Sequence, residues 1–186
     1  NPVKERFLFL GKISADKGVH LAIKYAEELG VPLDVVGGLI ESEIWGNAYL
    51  NDIKRKCDGE KIKLHFNVDE ATKIGFLQNA KALIYPCQME EAHWLTGIEA
   101  WVTGCPTISY ATSSKPEIFP KYWWEDGSYN EYISPLAEDE GEFKQFMLDS
   151  DSWSVKSAMD EMIAKYATKN VVPTYVSLYQ NVINGV

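Results

Sequence analysis

The stretch YPCQMEEAHWLTGIEAWVTGCP, residues 85–106, concentrates side chains that could do chemistry: Glu90, Glu91 and Glu99, the imidazole of His93 and the indoles of Trp94 and Trp101. Glu91 and Glu99 stand eight residues apart. Ionised carboxylates only accept hydrogen bonds, so such a pair suits a ligand rich in hydroxyls. A local reading competes with this. Thr96-Gly97-Ile98-Glu99 fits a capping box, in which the threonine bonds the amide three residues on and the glutamate reaches back. Glu91 would then be a solvated loop charge. His93 is a candidate general base, because histidine titrates near neutrality.

Other chemistries find less support. No Ser/His/Asp set is apparent, and His20, His65 and His93 fall in separate segments, against a three-histidine metal site. The three cysteines, Cys57, Cys87 and Cys105, form no C-x-x-C pair. They read as free thiols in a reducing compartment, and no metal site is expected.

Two further segments supply complementary groups. GKISADKG (11–18) sets Lys12 and Lys17 beside a helix start, where backbone amides favour anions. It is neither a P-loop nor G-x-G-x-x-G, and both lysines can equally be ordinary surface residues. VVGG (35–38) offers Gly37 and Gly38 where a strand turns, which permits close backbone approach or merely a tight turn.

The elements that must position these groups alternate. FLFL (7–10), LDVV (33–36), IKLHF (62–66), ALIY (82–85) and PTISY (106–110) read as strands, with YIS (132–134) as a sixth. Between them lie helical periodicities, the first with Val19, Ala22, Ile23, Ala26 and Leu29 on one face and a stop at Gly30. Asp69 is placed to cap a helix ending near Gln78, and the helix after Thr96 should stop at Gly104. Further helices close the chain from about Asp139 to Asn184. This alternation predicts an α/β fold, a Rossmann-like open parallel sheet of about six strands flanked by helices. Such sheets bind ligands beyond the carboxyl ends of their strands. That rule gathers Gly11, Lys12 and Lys17, then Gly37 and Gly38, then Asn67, then Glu90 to Thr96, onto one rim. Donors for a diphosphate and acceptors for hydroxyls are what a sugar nucleotide requires.

The chain has 186 residues, 46% of them hydrophobic, enough for one domain over residues 1–186 that buries roughly 70% of its unfolded surface. The net charge of −9 is uneven. Residues 125–151 hold nine acids and one base, and the rest is nearly neutral. Nucleic acid is therefore not an expected partner, while a small anion is. Trp123-Trp124, beside the acidic block, reads as a core or inter-domain anchor, with an interaction surface as the alternative. No spanning segment or signal peptide is evident. The opening almost directly on a strand suggests that something precedes it.

Taken together, these segments resemble the C-terminal, donor-binding domain of the retaining GT-B glycosyltransferases of family 4 (group 1) type. FLFLGKISADKGVHLAI is similar to that family's strand, Gly-Arg, Lys-Gly, helix signature. NVDEATKIGFLQNAKALIYP resembles the stretch leading to its fourth strand. EEAHWLTGIEAWVTGCPTI aligns with E-E-P-F-G-L-x-x-I-E-A-M-A-x-G-x-P-V-I, and SSKPEIF (113–119) with G-G-x-P-E. The match runs from Phe7 to about Gly127.

The resemblance implies that Glu91 holds sugar hydroxyls, that Glu99 holds the ribose, and that Lys12 and Lys17 grip the donor diphosphate. It places the amides of Leu95 and Thr96 at the same anion, and Gly11, Gly37, Asn67, Val68 and His93 around the nucleotide sugar. The donor would be a UDP-, GDP- or ADP-sugar, with no cofactor and no obligatory metal. The acceptor site would lie in an N-terminal GT-B domain absent from this chain. The setting would be cytoplasmic, with any membrane contact made through the missing domain. Two departures stand out. Lys12 replaces arginine and loses its bidentate fork, and His93-Trp94 replaces Phe-Gly, with a tryptophan where glycine permits close approach to the donor. The alternative is a non-catalytic module that binds sugar nucleotides or serves as a scaffold. A dinucleotide-dependent dehydrogenase is disfavoured by the missing fingerprint.

Overall fold

The computed structural model describes residues 4–39, 47–118, 135–150, 153 and 156–184. Strands β1 (Phe7–Lys12), β2 (Leu33–Gly38), β3 (Ile62–Phe66), β4 (Leu83–Tyr85), β5 (Thr107–Tyr110) and β6 (Leu136–Ala137) form one sheet in the order β3-β2-β1-β4-β5-β6. Every pairing is parallel, with Gly11 opposite Gly37 and Lys12 opposite Gly38. The expected open α/β sheet is therefore present. Phe7 to Leu10, Leu83 to Tyr85 and Thr107 to Tyr110 are all buried, as strands covered on both faces must be. The sixth strand lies at Leu136–Ala137; the expected strand at 132–134 and Trp123-Trp124 fall outside the described residues.

The helices are α1 (Val19–Leu29), α2 (Ala48–Lys56), α3 (Glu70–Asn79), α4 (Leu95–Val102), α5 (Lys115–Ile118), α6 (Glu140–Asp149), α7 (Lys156–Tyr166) and α8 (Thr168–Ile183). α1 buries Val19, Ala22, Ile23, Tyr25 and Ala26, with Leu29 of the expected face half-buried against the core, and ends at Gly30 in the left-handed conformation. Asp69 caps α3 as expected, accepting the Thr72 N–H at 2.7 Å. The acidic late segment is partly neutralised where it is described: Glu140 takes Lys24 at 2.9 Å and Lys144 at 3.0 Å.

Strand order reverses beside β1, whose neighbours are β2 and β4. That switch opens a crevice at the carboxyl ends of β1 and β4. Gly18 brings the two sides together. Its φ of 79° is left-handed, and a Cβ there would overlap the Pro86 carbonyl oxygen just after β4, so only glycine lets α1 start this close. No helix among the described residues is long and apolar enough to cross a membrane.

Candidate functional site

The crevice is lined first by the turn after β1. A short 3₁₀ turn, Ala15–Lys17, swings Lys17 back over the sheet, and its Nζ forms an ion pair with Glu91 Oε1. The same Oε1 accepts the Tyr85 hydroxyl at 3.1 Å, from the last residue of β4. Only 12% of the Glu91 side chain is exposed, and its Oε2 is buried with no hydrogen-bond partner. Glu91 is thus not a solvated loop charge. Burial works against the Lys17 ammonium, but the hydrogen bond and charge of Glu91 outweigh it and raise its pKa above that of ordinary lysine.

The capping box is not formed. α4 begins at Leu95 with Trp94 at its N-cap position, and no side chain caps it. The cause is Trp94, which is 1% exposed and stacked on Tyr85 with ring centroids 5.0 Å apart and an 18° interplanar angle. Anchoring that indole in the core starts the helix one residue before Thr96, so Thr96 lies inside the first turn. Uncapped amides at a helix start favour an anion, and Leu95 and Thr96 are where the resemblance implies one.

Glu99, released from capping, points its carboxylate to α3. Lys73 Nζ lies 3.1 Å from Glu99 Oε2 and 2.9 Å from Glu70 Oε1. Burial again opposes this ammonium, and Glu70 and Glu99 more than compensate, so the Lys73 pKa is raised. Glu91, three residues before the α4 N-cap, and Glu99, in the second turn of α4, thus each already face a lysine.

The other expected residues are distributed around this pair. Lys12 is exposed at the end of β1, and Gly11 is half-buried beside it. Gly37 has a structural reason of its own: a Cβ there would overlap the Gly11 carbonyl oxygen. Asn67 is exposed in the left-handed conformation, φ 52°, and donates its N–H to the Gly37 carbonyl at 2.9 Å. Val68, half-buried, packs on the core. His93 is exposed, its ring edge-on to Tyr166 of α7 at 6.0 Å. The His93-Trp94 departure thus splits: the tryptophan belongs to the core, and the histidine faces α7.

Sequence reasoning passed over Tyr85, Lys73 and Lys115. Tyr85 was legible as the strand-four residue nearest the rim. Lys73 sits four residues after the Asp69 cap, on a helix whose facing could not be read locally. Lys115 is fully buried, its Nζ 2.7 Å from Thr112 Oγ1, and nothing in SSKPEIF announces a lysine in the interior. Among the described residues, no cluster of three or more His, Cys, Asp or Glu side chains could hold a metal.

Comparison with known proteins points one way. The sequence model of the family described as "Glycosyl transferases group 1" matches residues 1–127. The D-rhamnosyltransferase WbpZ of Pseudomonas aeruginosa is 27% identical over 107 residues, covering 55% of this chain and 26% of that protein. The fold is similar to sucrose-phosphate synthase from Thermosynechococcus elongatus, with TM-score 0.77 and 15% identity over 100% of this chain and 47% of the other. It is also similar to Anabaena HepE in complex with UDP and glucose, with TM-score 0.72 and 11% identity over 98% of this chain and 49% of the other. The chain spans about a quarter of the length of the rhamnosyltransferase and about half that of these two structures.

Proposed function

Because the chain belongs to the group 1 glycosyl transferases, we propose that it is the donor-binding half of a retaining enzyme that transfers a sugar from an NDP-sugar to an acceptor. One observation carries the reading. Glu91 Oε2 is a buried acceptor without a donor, set at the switch-point crevice beside the Lys17 ammonium. A buried polar atom left unpaired calls for a ligand group, and a sugar hydroxyl supplies the missing hydrogen bond. Lys17 and Lys12, with the uncapped start of α4, face the diphosphate.

In the reaction, the bond from the anomeric carbon to the diphosphate oxygen breaks. Its electron pair leaves with the diphosphate, and the acceptor oxygen bonds to the same face of the sugar while its hydroxyl proton passes to the departing diphosphate oxygen. The two ammonium groups and the α4 amides stabilise the charge that grows on the leaving group, the role a divalent ion would otherwise fill. Glu99, steadied by Lys73, holds the ribose hydroxyls. Gly11, Gly37, Asn67, Val68 and His93 border the nucleotide sugar.

The acceptor belongs to a second, N-terminal domain. α8 favours this: none of its residues is buried, and Val172, Tyr175, Val176, Tyr179, Val182 and Ile183 form an exposed apolar stripe at helical spacing. Calorimetric titration of this chain with UDP-, GDP- and ADP-sugars tests the proposal. Saturable binding of one class is the expected result, and binding of none would overturn it.

A further inference from the structure

Behind Glu91 runs a segment to which the donor reading gives no task. Leaving β5, the chain passes through Thr112, Ser113 and Ser114 to Lys115, the first residue of α5. Ser113 Oγ accepts the Glu91 N–H at 3.0 Å, and Ser114 Oγ donates to the Glu91 carbonyl at 3.0 Å. Both backbone polar groups of the candidate sugar contact are therefore gripped by side chains from another loop. Lys115 continues the arrangement from beneath. Its Nζ lies 2.7 Å from Thr112 Oγ1, 3.4 Å from the Cys87 carbonyl and 5.9 Å from the centre of the Tyr85 ring, whose hydroxyl holds Glu91 Oε1.

Two features of this segment are costly and call for a use. Ser113 has φ 58°, a left-handed conformation in which glycine would sit without strain. Lys115 is 0% exposed, and among the described residues no carboxylate lies within ion-pair distance of its Nζ. An apolar side chain of similar volume would be cheaper there. Burial lowers the pKa of this ammonium, while the nearby Glu91 charge acts the other way.

We propose that Ser113, Ser114 and Lys115 form a positioning strap that fixes Glu91 in the orientation required to meet the donor sugar. The proposal rests on the reading of Glu91 as the sugar contact. When Lys17 turns from Glu91 to the entering diphosphate, the carboxylate loses its ion-pair partner. The serines and Tyr85 keep it in place, and the buried Lys115 leaves a cation beneath it. None of the three strap residues needs to touch the donor.

The strap is tested with S113G and K115M in the 186-residue chain. S113G relieves the left-handed backbone while deleting the acceptor of the Glu91 N–H, so stability and positioning should move apart. Three quantities are read: the melting temperature, the Glu91 carboxylate carbon resonance without ligand, and calorimetric affinities for UDP, GDP and ADP against UDP-glucose, GDP-mannose and ADP-glucose. S113G is expected to melt at or above the wild-type temperature with its Glu91 resonance shifted or broadened. In both variants the preference for a sugar nucleotide over its nucleoside diphosphate should fall about fivefold or more, with diphosphate affinity held within about twofold. An unmoved Glu91 resonance, or equal losses for both ligand types that track the melting temperature, would overturn the strap. If the wild type binds none of the six ligands, the donor reading fails. The ligand-free resonance then decides the strap alone: a shift without destabilisation sustains it, and no shift ends it.

Discussion

Lys17 and Glu91, 74 residues apart in the chain, are ion-paired across the crevice between the β1 and β4 loops. On the proposed reading these are the diphosphate cation and the sugar carboxylate, and here they neutralise each other. Donor binding must then exchange one partner for another rather than fill a waiting charge.

That exchange separates two variants. Lys17→Ala removes the cation, and a charge-assisted hydrogen bond contributes roughly 1.5–3 kcal/mol. Nucleoside diphosphate affinity should fall about tenfold or more by calorimetry, and unchanged affinity would remove Lys17 from the site.

Glu91→Gln should act in the opposite sense on the bare diphosphate. It releases Lys17 from a largely buried ion pair, which should tighten diphosphate binding about twofold or more. The same change should abolish any extra affinity contributed by the sugar. Parallel weakening of both ligands would show that Glu91 serves only to hold Lys17.

Glu99 carries no cap, so Glu99→Gln should cost little stability. It removes one partly exposed ion pair to Lys73, worth about 0–1 kcal/mol. If Glu99 holds the ribose, the variant should bind nucleotide about tenfold or more weakly. A large drop in melting temperature with intact binding would point to a structural role instead.

Trp94 gives the sharpest stability prediction. The indole is 1% exposed and stacked on Tyr85, so Trp94→Ala should destabilise the domain by about 3–5 kcal/mol in denaturant unfolding. The exposed His93, replaced by alanine, should stay within about 0.5 kcal/mol of wild type. Comparable small effects at both positions would return Trp94 to the pocket wall.

Lys115 makes stability depend on alkaline pH with a definite sign. It is flanked by Tyr85, Cys87, Glu91 and Lys17, and burial holds its folded-state pKa below the ordinary lysine value of 10.5. Between those two pKa values the unfolded chain binds more protons, so raising the pH stabilises the folded state. Lys17, with its pKa raised, contributes stability that is lost only above that window. As pH rises toward 10.5, wild type should therefore gain melting temperature relative to K115M. A constant difference would contradict this account.

The sequence by itself determined the local grammar. Buried strands read as short apolar runs, and α1 as a 3.6-residue stripe, because backbone geometry fixes those periods over a few residues. Asp69 was legible as a cap because its bond to Thr72 spans only three positions. The E-x7-E spacing and the two lysines were equally plain, and with them the family. Tertiary structure decided what these groups touch. Thr96 and Asp69 look alike locally, yet Thr96 does not cap, because Trp94 packs on Tyr85 and starts the helix two residues early. Lys17 meets Glu91, Lys73 meets Glu99, and Ser113 to Lys115 close behind Glu91 only because the sheet sets β4 between β1 and β5. Those contacts join loops tens of residues apart. No local period encodes them, and the strand order that creates them is a property of the whole packed sheet.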